Sequence, residues 1–223
     1  MANIIVNEDH PLQDAKRERD RNFNRPRFQV AERLLPKGGQ NKRIVDLGGG
    51  SGEFLEIARK YHYQGILVDG NTNNVDKAIG LGFEAIQADL NEPLHLDDNS
   101  FEGALLLDVI EHIIRAEALL REIYRILKRK GFLIVSTPNV SSLGGRIASI
   151  RGKTPKHEGY HYRFFNKYTL DKLIRNSGFQ IIERSPIISQ KLKLLENLLN
   201  QFPNFRERSE NLIANELVVK AIK

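Results

Sequence analysis

The chain has 223 residues, 40% apolar and 28% charged, with a formal net charge of +6 and no cysteine. That length can bury one sizeable core without cross-links, and the lack of cysteine excludes a disulfide scaffold, a thiolate metal site and a thiol nucleophile. No stretch approaches the roughly 18 apolar residues that span a bilayer, and the polar start Met1–Asp9 has no secretory pattern, so a cytoplasmic location is expected.

Residues 1–40 are polar and mixed in charge. Lys16–Arg21 reads as an exposed helix or arm, and Pro36-Lys37-Gly38-Gly39 as a break. The expected organisation is therefore a helical arm or cap over 1–40 and one domain over 41–223. From residue 43 onward, short apolar runs alternate with helical patterns. The runs are Arg43–Leu47, Gly65–Asp69, Glu84–Gln87, Gly103–Asp108 and Phe132–Ser136. Between them, Phe54, Leu55, Ile57 and Ala58, then Ala118, Leu119, Ile123, Tyr124, Ile126 and Leu127, recur at spacings of three and four, which gather them on one helix face. Apolar strands separated by helices predict an α/β fold whose parallel sheet is covered on both faces. Gly178–Ile182 and Glu216–Ile222 read as two further strands, joined through a Leu-rich helix around 192–199.

The strongest local signal is Val45-Asp46-Leu47-Gly48-Gly49-Gly50-Ser51-Gly52-Glu53-Phe54-Leu55, a buried strand running through a glycine turn into a helix. Glycines let the backbone turn sharply and let a ligand lie against it. A doubly wound sheet binds ligands in the crevice at the carboxyl ends of its strands. A dinucleotide loop has Gly-x-Gly-x-x-Gly with pyrophosphate at the helix N-terminus; here Glu53 takes the place of its third glycine. Asp46 and Glu53 disfavour a diphosphate and favour S-adenosylmethionine, which carries a sulfonium and an ammonium and no phosphate. Asp69, ending the second strand, suits the ribose of either cofactor class.

These motifs resemble those of the class I S-adenosylmethionine-dependent methyltransferases, within them the branch of ubiquinone-biosynthesis-type O-methyltransferases, over about 43–183. Val45–Gly52 is similar to the family's first motif, with Gly49 where Cys or Ala is common. Ala88-Asp89-Leu90 resembles its adenine-contacting segment, Leu107–His112 its segment near the methyl group, and Leu127–Asn139 its fifth-strand motif, with Arg129-Lys130-Gly131 where Pro-Gly-Gly is usual. His161–Phe165 with Leu170, Leu173, Gly178 and Phe179 resembles the segment after it. The resemblance implies a Rossmann-like, mostly parallel seven-stranded sheet with an antiparallel strand near the C-terminus. It implies cofactor contacts from Asp46, Gly48, Gly50, Gly52, Asp69, Gly70, Asp89, Leu90 and Asp108, with Asp108 also facing the transfer site. A helix N-cap is the plainer reading of Asp108.

On the acceptor side, an insertion over about 139–168 is expected to act as a lid, with Gly144-Gly145 and Gly152 as hinges. His157 and His161 lie in it and are candidate general bases for a hydroxyl acceptor. Glu111 and His112 are adjacent, so on a helix they diverge, and His112 reads as a packing residue; no metal is expected. Within 141–168, six basic residues stand against Glu158, which holds five of the six net positive charges. That excess points to a small acceptor bearing carboxylate or phosphate, methylated on oxygen, or to peripheral contact with an anionic membrane. Methylation of RNA or protein is the alternative enzyme reading; no nucleic-acid module is visible, so nucleic acid is not an expected partner. A cofactor-binding scaffold without turnover is a further alternative.

Overall fold

A computed structural model describes residues 26–39, 41–152, 161–189, 192 and 211–223. Lys16–Arg21, His157 and residues 193–199 lie outside the described residues. In chain order the elements are α1 (Pro26–Leu34), β1 (Lys42–Leu47), α2 (Glu53–Lys60), β2 (Tyr63–Asp69), α3 (Thr72–Gly80), β3 (Glu84–Gln87) and β4 (Phe101–Leu107). A 3-10 turn (Ile110–His112), α4 (Ala116–Ile126), β5 (Leu127–Pro138), α5 (Leu143–Ile150), α6 (Lys167–Asn176), β6 (Gln180–Arg184), β7 (Ile187–Ile188) and β8 (Ala214–Ile222) follow.

The strands form one sheet in the order β3-β2-β1-β4-β5-β8-β6, with the two-residue β7 pairing off that path with β8. The pairs β1–β2, β1–β4, β2–β3 and β4–β5 are parallel, whereas β8 runs antiparallel to β5 and β6. This is the doubly wound, mostly parallel sheet of the Rossmann-like class. The order reverses at β1, with β2 on one side and β4 on the other, so the glycine turn after β1 sits at the switch point where such sheets bind ligands.

Period-two alternation sends successive strand residues to opposite faces. Val45, Leu47, Ala104 and Leu106 join one core with the buried face of α4 (Ala116, Leu119, Leu120, Ile123, Ile126) and with Leu170, Leu173 and Ile174 of α6. Ile44, Leu105 and Leu107 join the other, with Phe54, Leu55 and Ala58 of α2 and Ala78 of α3. Each such large side chain contributes about 1.5–3 kcal/mol by leaving water. In α6 a capping box reinforces the start: Asn166 accepts from the Thr169 backbone N–H while Thr169 reaches back to the Asn166 N–H.

Helix α1 belongs to the second core. Its buried residues are Val30, Ala31 and Leu34, and Phe28 meets Phe54 edge-on at 5.4 Å between ring centroids. Residues 26–34 thus pack into this core, and Pro36–Gly39 leads from α1 into β1. Gly144 and Gly145, expected as hinges, lie inside α5; Gly152, just beyond it, has a left-handed φ of +68°.

Candidate active site

An open cleft lies between the turn after β1, the ends of β2 and β4, and the start of α1. Gly48–Ser51 form one wall, Asp69 and Asn74 an end, and Leu107 with Asp108 the opposite side; Arg27 and Phe28 reach in from α1. Gly48 and Gly50 have φ values of +69° and +61°, which an L side chain adopts only at a cost. A Cβ on Gly49 would stand 2.3 Å from the Asp46 carboxyl carbon, and one on Gly48 would stand 2.7 Å from Val109 Cγ2. Glycine is therefore required here to uncover the Asp46 carboxylate.

Asp46 is 1% exposed, and neither carboxylate oxygen has a hydrogen-bond partner among the described residues. Burial, with the charges of Glu53 and Asp69 beside it, pushes its pKa to about 8. A buried acid without a donor is costly, and this one lines the cleft, where a ligand's ammonium would relieve it. Asp69, also buried, is well supplied: Oδ1 accepts from Asn71 N and Asn74 Nδ2, and Oδ2 from Gly50 N at 3.1 Å. It pins the glycine turn to the end of β2 and keeps acceptor capacity for a hydroxyl.

Asp108 follows β4 at φ +54°, an outlier of the kind found where structure is held for a purpose. Ser136 holds it there, donating to Oδ1 at 2.6 Å while the Asp108 N–H bonds to the Ser136 carbonyl. Asp108 Oδ2 pairs with Arg27 Nη1 across the cleft at 2.5 Å. Its role is not that of an N-cap, because Val109 occupies the cap of the 3-10 turn without a side-chain bond. Arg27 Nε is buried without a partner among the described residues. Glu111, 2% exposed, accepts from Thr137 Oγ1 at 3.0 Å. Burial first, then the Asp108 charge, raises its pKa; the same two causes raise that of Glu216 in β8, whose Oε1 is buried and unpartnered among the described residues.

Glu111 and His112 do not diverge. The segment is a tight 3-10 turn instead of an α-helix, and donor atoms of Glu111, His112 and His161 come within 4.8 Å of one another. The two imidazoles meet edge-on at 4.7 Å. The Glu111 carbonyl accepts from Tyr162 N and Arg163 N, which carries His161 to this place. Such a trio has the donor chemistry to hold a divalent cation, an arrangement that adjacency on an α-helix hid from the sequence reading.

The remaining candidates are distributed differently. Gly52 caps α2 at φ +85°. Gly70 accepts through its carbonyl from Gln87 Nε2. Asp89 is exposed and folds back on Asn91 N and Nδ2, and Leu90 is buried; the Ala88 N–H bond to the Asp69 carbonyl brings this segment beside the end of β2. None of the four is among the residues that line the cleft. Sequence reasoning missed Arg27, Phe28, Ser136 and Glu216. The start of α1 was nonetheless readable: Pro26 in the first helical position, ahead of Val30, Ala31 and Leu34, is a helix signature.

A family model described as a methyltransferase domain matches residues 17–184. A probable S-adenosylmethionine-dependent methyltransferase of Mycobacterium tuberculosis is 30% identical over 155 residues, 69% of this chain and 54% of that protein. The ubiquinone/menaquinone biosynthesis C-methyltransferase UbiE of Rhizobium meliloti is 32% identical over 113 residues, 46% of this chain and 43% of that protein. The chain thus spans about half the length of these curated relatives. The crystal structure of a SAM-dependent methyltransferase from Archaeoglobus fulgidus shares the fold, with a TM-score of 0.72 at 21% identity, covering 95% of this chain and 99% of that one.

Proposed function

The chain belongs to the methyltransferase-domain family, and on that premise we propose that it transfers the methyl group of S-adenosylmethionine to oxygen on a small anionic acceptor. The observation that carries the cofactor reading is that a buried, unpartnered Asp46 carboxylate and the Arg27 guanidinium line the same glycine-walled cleft among the described residues. The methionine end of this cofactor bears an ammonium and a carboxylate. Among the described residues, Asp46 offers two unpartnered buried oxygens to the first, and Arg27 a guanidinium with a buried unpartnered Nε–H to the second. A dinucleotide fits poorly, since its pyrophosphate would meet Asp46, Glu53, Asp69 and Asp108 with Arg27 as the only cation among the described residues that line the cleft.

In this reading Gly48, Gly50 and Gly52 shape the turn along the methionine tail, and Asp69 with Gly70 receives the ribose hydroxyls. Asp89 and Leu90 border the adenine, and Asp108 fixes the wall at the transfer point. The bound cofactor supplies a methyl group already activated on a sulfonium, so the protein's task is chiefly to orient an in-line acceptor. His161 accepts the acceptor's proton, steadied by His112 and Glu111; His157, outside the described residues, remains a candidate for the same step on sequence grounds. The anionic character of the acceptor rests on the basic excess in 141–168. There, Arg163 is engaged by Glu117 and the Ile114 carbonyl and Lys167 is buried, which leaves Arg146 and Arg151 exposed among the described residues.

One observation favours a second reading, an amine acceptor. Asp108, Glu111 and Glu216 crowd the acceptor side, and Glu216 has an oxygen without a partner among the described residues. A screen of phenols, hydroxy acids, sugar phosphates and amines, read out as S-adenosylhomocysteine released, tests both. Turnover confined to anionic hydroxyl compounds supports the first reading, and turnover confined to amines replaces it with the second.

A further inference from the structure

We propose that helix α5 and the exposed residues beside it dock this end of the molecule on an anionic lipid surface. α5 is eight residues long and none of them is buried. Leu143, Ile147 and Ile150 recur at spacings of four and three, which makes one apolar stripe. Ile147 is 40% exposed and Ile150 86%. At about 100° per residue, Arg146 and Arg151 fall on either side of that stripe, and both are exposed. Apolar residues flanked by arginines form the amphipathic pattern that lies flat in a headgroup region, the apolar face inward and the cations at the phosphates.

The helix is held on a firm base. Ser142 caps it by accepting from Gly145 N. Asn139, just past β5, is buried and donates to the carbonyls of Asn211 and Ala214 while accepting from Ser141 N. A second exposed apolar group stands at the same edge of the sheet. Ile114 and Tyr162 are 55% and 50% exposed, and Arg163 ties their segments together through the Ile114 carbonyl. Since α5 and this group follow the carboxyl ends of β5 and β4, the docked edge is the one at which the cleft opens.

Charge complementarity selects an anionic bilayer as the occupant. A second copy of the chain would bring the same arginines face to face, and an eight-residue helix offers far less than the roughly 800 Å² per partner of a stable protein interface. The inference does not depend on which acceptor is methylated.

Co-sedimentation of the full chain with vesicles tests it. One set is phosphatidylcholine alone, the other contains one-third phosphatidylglycerol, each over a salt series. Binding is expected to the anionic set only and to fade as salt rises. Arg146→Gln with Arg151→Gln should weaken it by about fivefold for each arginine, and Ile147→Glu with Ile150→Glu should abolish it. In both variants the melting temperature and the affinity for S-adenosylmethionine should stay unchanged, which excludes misfolding. Wild-type chain that ignores anionic vesicles, or double variants that bind them as wild type does, would overturn the proposal. So would a wild-type self-association that Ile147→Glu with Ile150→Glu abolishes in the absence of lipid, because it assigns the face to a second copy.

Discussion

Arg27 in the first turn of the N-terminal helix and Asp108 just past β4 close the cleft from opposite sides in a single ion pair of 2.5 Å. The pair joins α1 to the end of β4 and sets the only basic side chain of the cleft lining, among the described residues, beside Asp108. Arg27→Ala should therefore weaken S-adenosylmethionine binding by at least about tenfold, because a charge-assisted bond is worth about 1.5–3 kcal/mol. Arg27→Lys should restore only part of the loss, since an ammonium lacks the planar fork. Titration calorimetry measures both; full affinity in Arg27→Ala would remove Arg27 from the cofactor site.

Asp46 gives the site a pH dependence. Its pKa of about 8 lies above the ordinary carboxylate value of 3.8, so the folded state holds this proton more tightly than the unfolded chain. The stability it contributes is full below about pH 4 and is lost as pH rises to about 8. Asp46→Asn should flatten that decline and melt higher than wild type at pH 8.5. Cofactor affinity should run the other way in wild type, rising as pH approaches 8 because the ammonium selects the ionised acid, and Asp46→Asn should abolish the rise. Parallel pH profiles for wild type and variant would contradict this role.

Much of this was legible in the sequence, and the reasons are specific. Asp46, Gly48 and Asp69 sit where a buried strand meets a turn, and local pattern suffices to find such residues. The apolar runs likewise give the strands, and the antiparallel β8 announces itself as Glu216–Ile222. Arg27 and Glu216 escaped because their partners are remote in the chain: Arg27 reaches Asp108 and Glu216 lies beside the Asp108 charge. The meeting of Glu111 and His112 with His161 escaped for a geometric reason, since a 3-10 turn aims adjacent side chains differently from the α-helix that adjacency suggested.

Gly49→Ala tests the shape of the cleft. The new methyl would overlap the Asp46 carboxyl, while the backbone at this residue is not left-handed. The fold should persist and cofactor affinity should fall by about tenfold or more, the scale of a lost charge-assisted bond. Circular dichroism with calorimetry separates the two effects; a variant that binds normally would show that Asp46 is not the ammonium's partner.

His161→Gln tests the proton acceptor. Cofactor affinity should be unchanged while kcat for a hydroxyl acceptor falls by about 10²–10⁴-fold, the usual contribution of a general base. The acidic limb of the kcat/KM profile should disappear with it. An unaltered profile would leave His161 a packing residue against His112.

The central claim, that the cleft is built for a methyl-donor cofactor and not for a dinucleotide, is met most directly by calorimetric titration of the full chain with S-adenosylmethionine, S-adenosylhomocysteine and NAD. Saturable one-to-one binding of the first two, weakened at least tenfold by Asp69→Ala through its lost ribose and Gly50 contacts, with no heat from NAD, is the expected result. Binding of NAD more tightly than either methionine compound would contradict it.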